Sequence, residues 1–127
     1  MRRTVDELLS EARARFVRLS PAQAAAAQAA GALLVDIRGD DQLRSHGTIP
    51  AAIRIQRNVL EWRADPSCAA RDPRIADPGA TVILVCQQGY QSSLAASTLH
   101  DLGLPNSTDL EGGFEAWQAA GLPTEAA

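Results

Sequence analysis

TVILVCQQGYQSSLAA, residues 81–96, is the stretch from which the fold can be read. Val82, Ile83, Leu84 and Val85 form a continuous apolar run of strand length, as expected of a strand covered on both faces in a parallel sheet. Cys86 ends the run. Gln87-Gln88-Gly89-Tyr90-Gln91 then turns the chain, and Ser92–Leu102 reads as a helix closed by Gly103. A strand, a short loop and a helix N-terminus together make an anion cradle. Successive backbone N–H groups point inward, and the helix adds about half a positive charge. Gly89 permits the backbone angles such a loop needs. A cysteine held there is favoured as the thiolate, its nucleophilic form. The bland alternative is a small buried residue ending a strand, the commoner fate of a lone cysteine. The position of Cys86, directly ahead of a glycine loop and a helix start, favours the reactive reading.

Upstream, Val5, Leu8, Leu9 and Ala12 recur at helical spacing, so Thr4 to about Arg15 reads as an amphipathic helix. Ser20-Pro21 is a helix start, Ala22–Ala30 continues it, and Gly31 supplies the stop. Leu33–Ile37 reads as a buried strand and Ile53–Ile55 as a weaker one. Val59–Trp62 suggests a helical turn, and Asp65–Pro78, with three prolines, is loop. Downstream, Ser107–Leu110 is an edge or central strand, and Gly113–Ala120 a last helix ending at Gly121-Leu122-Pro123. Strands alternating with helices give an α/β domain with a mostly parallel sheet, whose ligands bind beyond the carboxyl ends of the strands. Asp36 and Cys86 both sit at such ends.

The 127 residues suit one domain, with 1–19 as a helical extension, and 46% hydrophobic residues are enough for a core without staples. A net charge of −3 argues against a nucleic-acid partner. There is no lysine, which excludes a Schiff base or a P-loop lysine, and all twelve cations are arginines at or before Arg74. The first residues carry charges throughout and do not read as a signal peptide, and no later stretch has membrane-spanning length. Cys68 and Cys86 make neither a disulfide framework nor a metal cluster. The expectation is a cytoplasmic protein without metal or cofactor, and with no membrane or nucleic-acid partner.

At this point the residues resemble a family, the rhodanese-like domains. VCQQGYQSSLAA matches that family's cysteine, glycine loop and serine- or alanine-led helix. LLVDIR resembles its early strand with an Asp-x-Arg end, and GTIPAAIRI its Gly-His-Ile-Pro-Gly-Ala signature. DLGLPN follows the active-loop helix, and LEGGFEAWQAAGLP is similar to the closing Gly-Gly-x-x-x-Trp helix and Gly-x-Pro end. The resemblance runs from Pro21 to Pro123. It implies a five-stranded, mostly parallel sheet with helices on both faces, and sulfur transfer through a Cys86 persulfide cradled by Gln87, Gln88, Gly89, Tyr90, Gln91 and Ser92. It also implies that Asp36 braces the loop by accepting backbone N–H bonds. Gln87 and Gln91 stand where the commonest loop has arginines, which weighs against thiosulfate as the physiological donor. Thr48 replaces the signature histidine, and Ala51 its second glycine.

Arg38 is expected to pair with Asp36, Asp40 or Asp41 in support of the loop, and Arg54, Arg57 and Arg63 are candidates for a positive field. Tyr90 is placed at the pocket mouth, Trp62 and Trp117 in packing, and Cys68 as a bystander rather than a resolving thiol. His46 and His100 lack partner motifs. Three function classes remain: a sulfurtransferase with a small sulfur donor and a thiol or cyanide-like acceptor, a persulfide relay to a protein partner, and a phosphatase or arsenate reductase. The last needs a longer loop ending in arginine, where Gln91 and Ser92 stand.

Overall fold

The computed structural model describes residues 1–127. Four strands form one parallel sheet: β1 (Leu33–Asp36), β2 (Ile53–Arg54), β3 (Val82–Val85) and β4 (Ser107–Asp109), in spatial order β2-β1-β3-β4. Pairs such as Leu34–Ile83 and Leu84–Asp109 set the register. Successive side chains on a strand point to opposite faces, so the apolar runs on β1 and β3 feed two cores. Val35, Val82, Leu84 and Cys86 face one core, and Leu34, Ile83 and Val85 face the other.

Helices cover both faces. On the first lie α4 (Leu60–Ala64) and α5 (Gln91–Asp101), contributing Leu60, Ala64, Ala95, Ala96 and Leu99. On the second lie α2 (Pro21–Ala29) and α6 (Gly113–Ala119), contributing Ala24, Phe114 and Trp117. The N-terminal helix α1 (Val5–Arg13) packs outside α5. Both α1 and α2 begin with capping boxes, Thr4 with Glu7 and Ser20 with Gln23, and Pro21 follows the second cap. A 3₁₀ turn at Arg57–Val59 runs into α4, and the long loop after it is pinned by fully buried Ile75. No helix is long and apolar enough to cross a membrane.

Two features depart from the sequence reading. The sheet has four strands rather than five. At the outer edge of β4 the chain makes a single parallel bridge, Leu19 to Leu110, with Leu19 N–H donating to the Asp109 carbonyl at 3.1 Å. The Ser20 cap and Pro21 start α2 at the next residue, so no strand can extend there. The second departure is helix α3 (Asp40–His46), which the sequence reading did not identify. It is short and buries only Leu43, so it lacks the apolar recurrence that marks a helix.

Ala51 is the one non-glycine residue with positive φ, at 66°. It occupies the position where the resembling signature has glycine. The left-handed conformation crowds a Cβ against the following carbonyl, and Ala51 is exposed, so its methyl gains little packing in return. Ala51→Gly should therefore stabilise the fold by about 1 kcal/mol. Urea melts of the two proteins check this, and an unchanged midpoint would mean that the strain is relieved elsewhere.

Candidate active site

Cys86 lies just past β3, 5% exposed, with its sulfur inside the turn made by residues 87–92. Gly89 N–H donates to Sγ at 3.1 Å and Ser92 N–H at 3.3 Å. The N–H groups of Gln88, Tyr90 and Gln91 have no acceptor within the protein. Gly89, at φ +84°, makes the curvature, and a Cβ there would lie 2.7 Å from the Gly112 nitrogen. In front of the sulfur is a cavity of about 170 Å³ lined by Gln42, Cys86, Gln87, Gln88, Tyr90 and Gln91. No charged side chain lines it.

Behind the loop stands a network that the sequence reading missed. The Cys86 thiol donates to Ser92 Oγ at 3.2 Å, and Ser92 Oγ donates to Asp109 Oδ2 at 2.8 Å. Ser93 Oγ donates to the same oxygen at 2.7 Å. Arg18 meets Asp109 with Nε at 2.9 Å and Nη2 at 3.1 Å, and its Nη2 also donates to the Gly89 carbonyl at 2.8 Å. Arg13 donates from Nη2 to that carbonyl at 2.9 Å and from Nε to Ser93 Oγ at 2.9 Å. The fold brings these groups together in two ways. The Leu19 bridge sets Arg18 beside Asp109, and α1 lies along α5 with Leu9 and Ala12 buried, which carries Arg13 to Ser93.

On the other side, Arg38 is fully buried and pairs with Asp36 through Nε at 3.0 Å and Nη2 at 2.8 Å. Its Nη1 donates to Gln87 Oε1 at 2.9 Å, and its guanidinium lies 4.1 Å from the centre of the Phe114 ring. Asp36 thus acts on the loop through Arg38. It accepts no N–H from residues 87–92, because the Arg38 backbone N–H and guanidinium take its oxygens. Helix α6 holds the loop carbonyls: Phe114 N–H donates to Cys86 O at 2.8 Å and Glu115 N–H to Gln87 O at 3.1 Å.

The other candidates fall away from the pocket. Arg57 pairs with Glu61, Arg63 reaches the Ala70 carbonyl, and Arg54 lies beside Thr48. Cys68 shares a surface groove with Trp62 and Leu102, so the two thiols occupy different sites. Trp117 is buried, whereas Trp62 is 59% exposed. His100 Nε2 donates to the Ser107 carbonyl at 2.8 Å, and the ring stacks on Phe16.

A sequence profile of the rhodanese-like domain matches residues 20–120. The chain belongs to the rhodanese-like domain family. It is a rhodanese-type sulfurtransferase by class. It is 37% identical to a thiosulfate sulfurtransferase, GlpE, of Pseudomonas entomophila over 82% of this chain and 86% of that one. A solved structure from Rhodopseudomonas palustris, described as a protein of unknown function and possible tyrosine phosphatase, is 33% identical. It covers 98% of this chain and 96% of its own, with a TM-score of 0.90. The polysulfide-sulfur transferase of Wolinella succinogenes is 26% identical, covers 96% and 87%, and has a TM-score of 0.75.

The rhodanese loop rests directly on Gly113, at φ +65°, where a Cβ would lie 2.5 Å from Cys86 O and 2.7 Å from Gln88 N. Gly113→Ala should therefore cost about 2–4 kcal/mol of stability and displace the loop. Thermal melting and the alkylation rate of Cys86 would both fall. A normal rate in a destabilised protein would show that the loop keeps its shape without this contact.

Proposed function

We propose that this sulfurtransferase carries sulfane sulfur as a persulfide on Cys86. The single observation that supports this most is the set of loop N–H groups around the sulfur. Gly89 and Ser92 already donate to Sγ, and Gln88, Tyr90 and Gln91 have donors to spare for a second sulfur. In the first step the Cys86 thiolate attacks the outer sulfur of thiosulfate, the S–S bond breaks, and sulfite leaves with the bonding pair. In the second, an acceptor such as cyanide or a thiolate attacks the terminal sulfur, and the Cys86 thiolate is regenerated. One difficult transfer becomes two easier ones. Gln87, Gln88, Gly89, Tyr90, Gln91 and Ser92 hold the persulfide, while Asp36 and Arg38 support the loop through Gln87. The identity to thiosulfate sulfurtransferases favours thiosulfate as donor despite the neutral loop. The chain works as one domain, with residues 1–19 as its extension, in the reducing cytoplasm.

Relay to a protein acceptor is the second reading, favoured by a shallow pocket whose rim residue Tyr90 is 59% exposed. Phosphatase chemistry finds no support in the pocket, since no arginine lines it to grip phosphate oxygens. Intact mass after incubation with thiosulfate tests the reading. The wild type should gain one sulfur, released by thiol, Cys86→Ser should gain none, and Cys68→Ser should load normally. Sulfur mapped to Cys68, or turnover of an aryl phosphate without sulfur loading, would overturn it.

The neutral lining leads to a further expectation. Arg38 ends on Gln87 and Arg57 on Glu61, so neither pre-empts a cation at position 91. Gln91→Arg should raise kcat/KM for thiosulfate by tens to a few hundred-fold, equivalent to about 2–3 kcal/mol, through a charged donor to the departing sulfite. An organic persulfide should gain less. Equal gains for both donors at two salt concentrations would sink the idea that loop charge sets donor choice.

A further inference from the structure

We propose that Arg13 and Arg18 are positioning residues of the active loop, and that the N-terminal segment thereby supplies the positive charge the pocket lacks. The inference rests on the Cys86 persulfide reading for its function, but its geometry stands independently. Both arginines precede the residues matched by the family profile, which begins at residue 20. From Ile75 onward the chain has no arginine or lysine, so any cation near the loop must come from the first part of the chain.

The two guanidinium groups converge on one atom, the Gly89 carbonyl oxygen, at 2.9 and 2.8 Å. Two charged donors on a neutral carbonyl fix the plane of that peptide. The peptide is trans, as all are in this chain, so the Tyr90 N–H points opposite to the Gly89 C=O. With the carbonyl drawn back toward the arginines, the Tyr90 N–H is turned toward the cavity in front of Cys86. It has no acceptor in the protein. Polarisation of the carbonyl also strengthens the N–H at the other end of the same amide. A positive charge behind the loop is thus delivered to the sulfur through a peptide dipole rather than by contact.

The charges facing this side of the loop are few. Asp109 pairs with Arg18, and Glu111 approaches Arg18 at 3.9 Å but is 63% exposed. Arg13 has no carboxylate partner; its hydrogen bonds go to the neutral Ser93 hydroxyl and the Gly89 carbonyl, and its guanidinium lies 5.8 Å from the centre of the Tyr90 ring. Of the two arginines on this carbonyl, it is the one whose charge no carboxylate offsets. On the front side, Glu115 lies 3.3 Å from Gln87 Nε2 and is exposed.

Arg13→Gln is the decisive variant, because α1 keeps Leu9 and Ala12 buried and Arg15 still bonds Ser97 and Asp101. Arg18→Gln is secondary, since it also strips a partner from buried Asp109. Each variant is first checked by circular dichroism and melting. Two rates are then measured: single-turnover sulfur loading from thiosulfate by intact mass, and alkylation of Cys86 by neutral iodoacetamide from neutral to alkaline pH. For Arg13→Gln we expect both rates to fall roughly tenfold near neutral pH, the loss of one charge-assisted hydrogen bond. Half-saturation by thiosulfate should stay nearly constant. The alkylation rates should converge at alkaline pH, and Arg13→Lys should recover much of the loss. A folded Arg13→Gln protein with both rates unchanged would overturn the proposal. So would a rate loss that persists at alkaline pH or that Arg13→Lys does not relieve, because either marks simple distortion. If the wild type takes no sulfur, the persulfide reading fails, and the alkylation series still decides the role of the arginines.

Discussion

Asp109 places a carboxylate at the end of β4 with no exposure to solvent. A bare carboxylate there would cost several kcal/mol in lost hydration, which only close and well-directed donors can offset. Four hydrogen bonds meet it: two from Arg18, one from Ser92 and one from Ser93. Those donors come from the strap before α2 and from the first turn of α5. Satisfying one buried charge therefore ties together the sheet edge, the N-terminal segment and the helix that follows Cys86. The Ser92 hydroxyl that serves Asp109 also accepts the hydrogen bond of the Cys86 thiol. The position of the sulfur is thus set by the same network that makes the burial tolerable.

The second buried pair, Asp36 with Arg38, does comparable work at the other end of the loop. Arg38 occupies its carboxylate, the Gln87 amide and the Gly47 carbonyl at once, and covers the Phe114 ring. Its hydrogen bond to Oε1 orients the Gln87 amide, so the Nε2 end faces outward toward Glu115. The glutamine at 87 is thereby a fixed element of the pocket wall rather than a free side chain. Between these two anchors the N-terminus of α6 holds the carbonyls of Cys86 and Gln87, leaving loop N–H groups as the surface offered to a ligand.

The parts legible in the sequence were those carried by local pattern. The apolar run of β3, the glycine at 89 and the helix start after it are neighbours in the chain, and each has its own steric or periodic signature. The bracing network has none. Arg13 and Gly89 are 76 residues apart, and Arg18 and Asp109 are 91 apart. Arg13 lies on the polar face of an amphipathic helix, and Ser107–Leu110 reads only as an edge or central strand, with no local mark on Asp109. The one available clue was the absence of any cation after Arg74, which required the loop's charge to come from elsewhere. Arg54, Arg57 and Arg63, the candidates for that charge, instead contact Thr48, Glu61 and the Ala70 carbonyl. The fifth strand failed for a related reason: its single bridge ends where the Ser20 cap begins, and a family resemblance cannot show how soon a local cap stops an edge.

Where the charge sits changes what it can discriminate. A guanidinium in front of the sulfur would bond the donor and the departing sulfite directly, and would favour dianionic donors over neutral ones. A guanidinium behind the loop acts on the charge at sulfur, which is the same whichever donor supplied it. The pocket in front is lined by glutamine amides, which donate and accept with equal ease and repel neither an anion nor a neutral thiol derivative. On the proposed reading, stabilising the thiolate from behind while keeping the front uncharged separates nucleophile activation from donor choice. That separation is possible because a trans peptide carries the field from one side of the loop to the other, and its cost is a weaker grip on any one small donor.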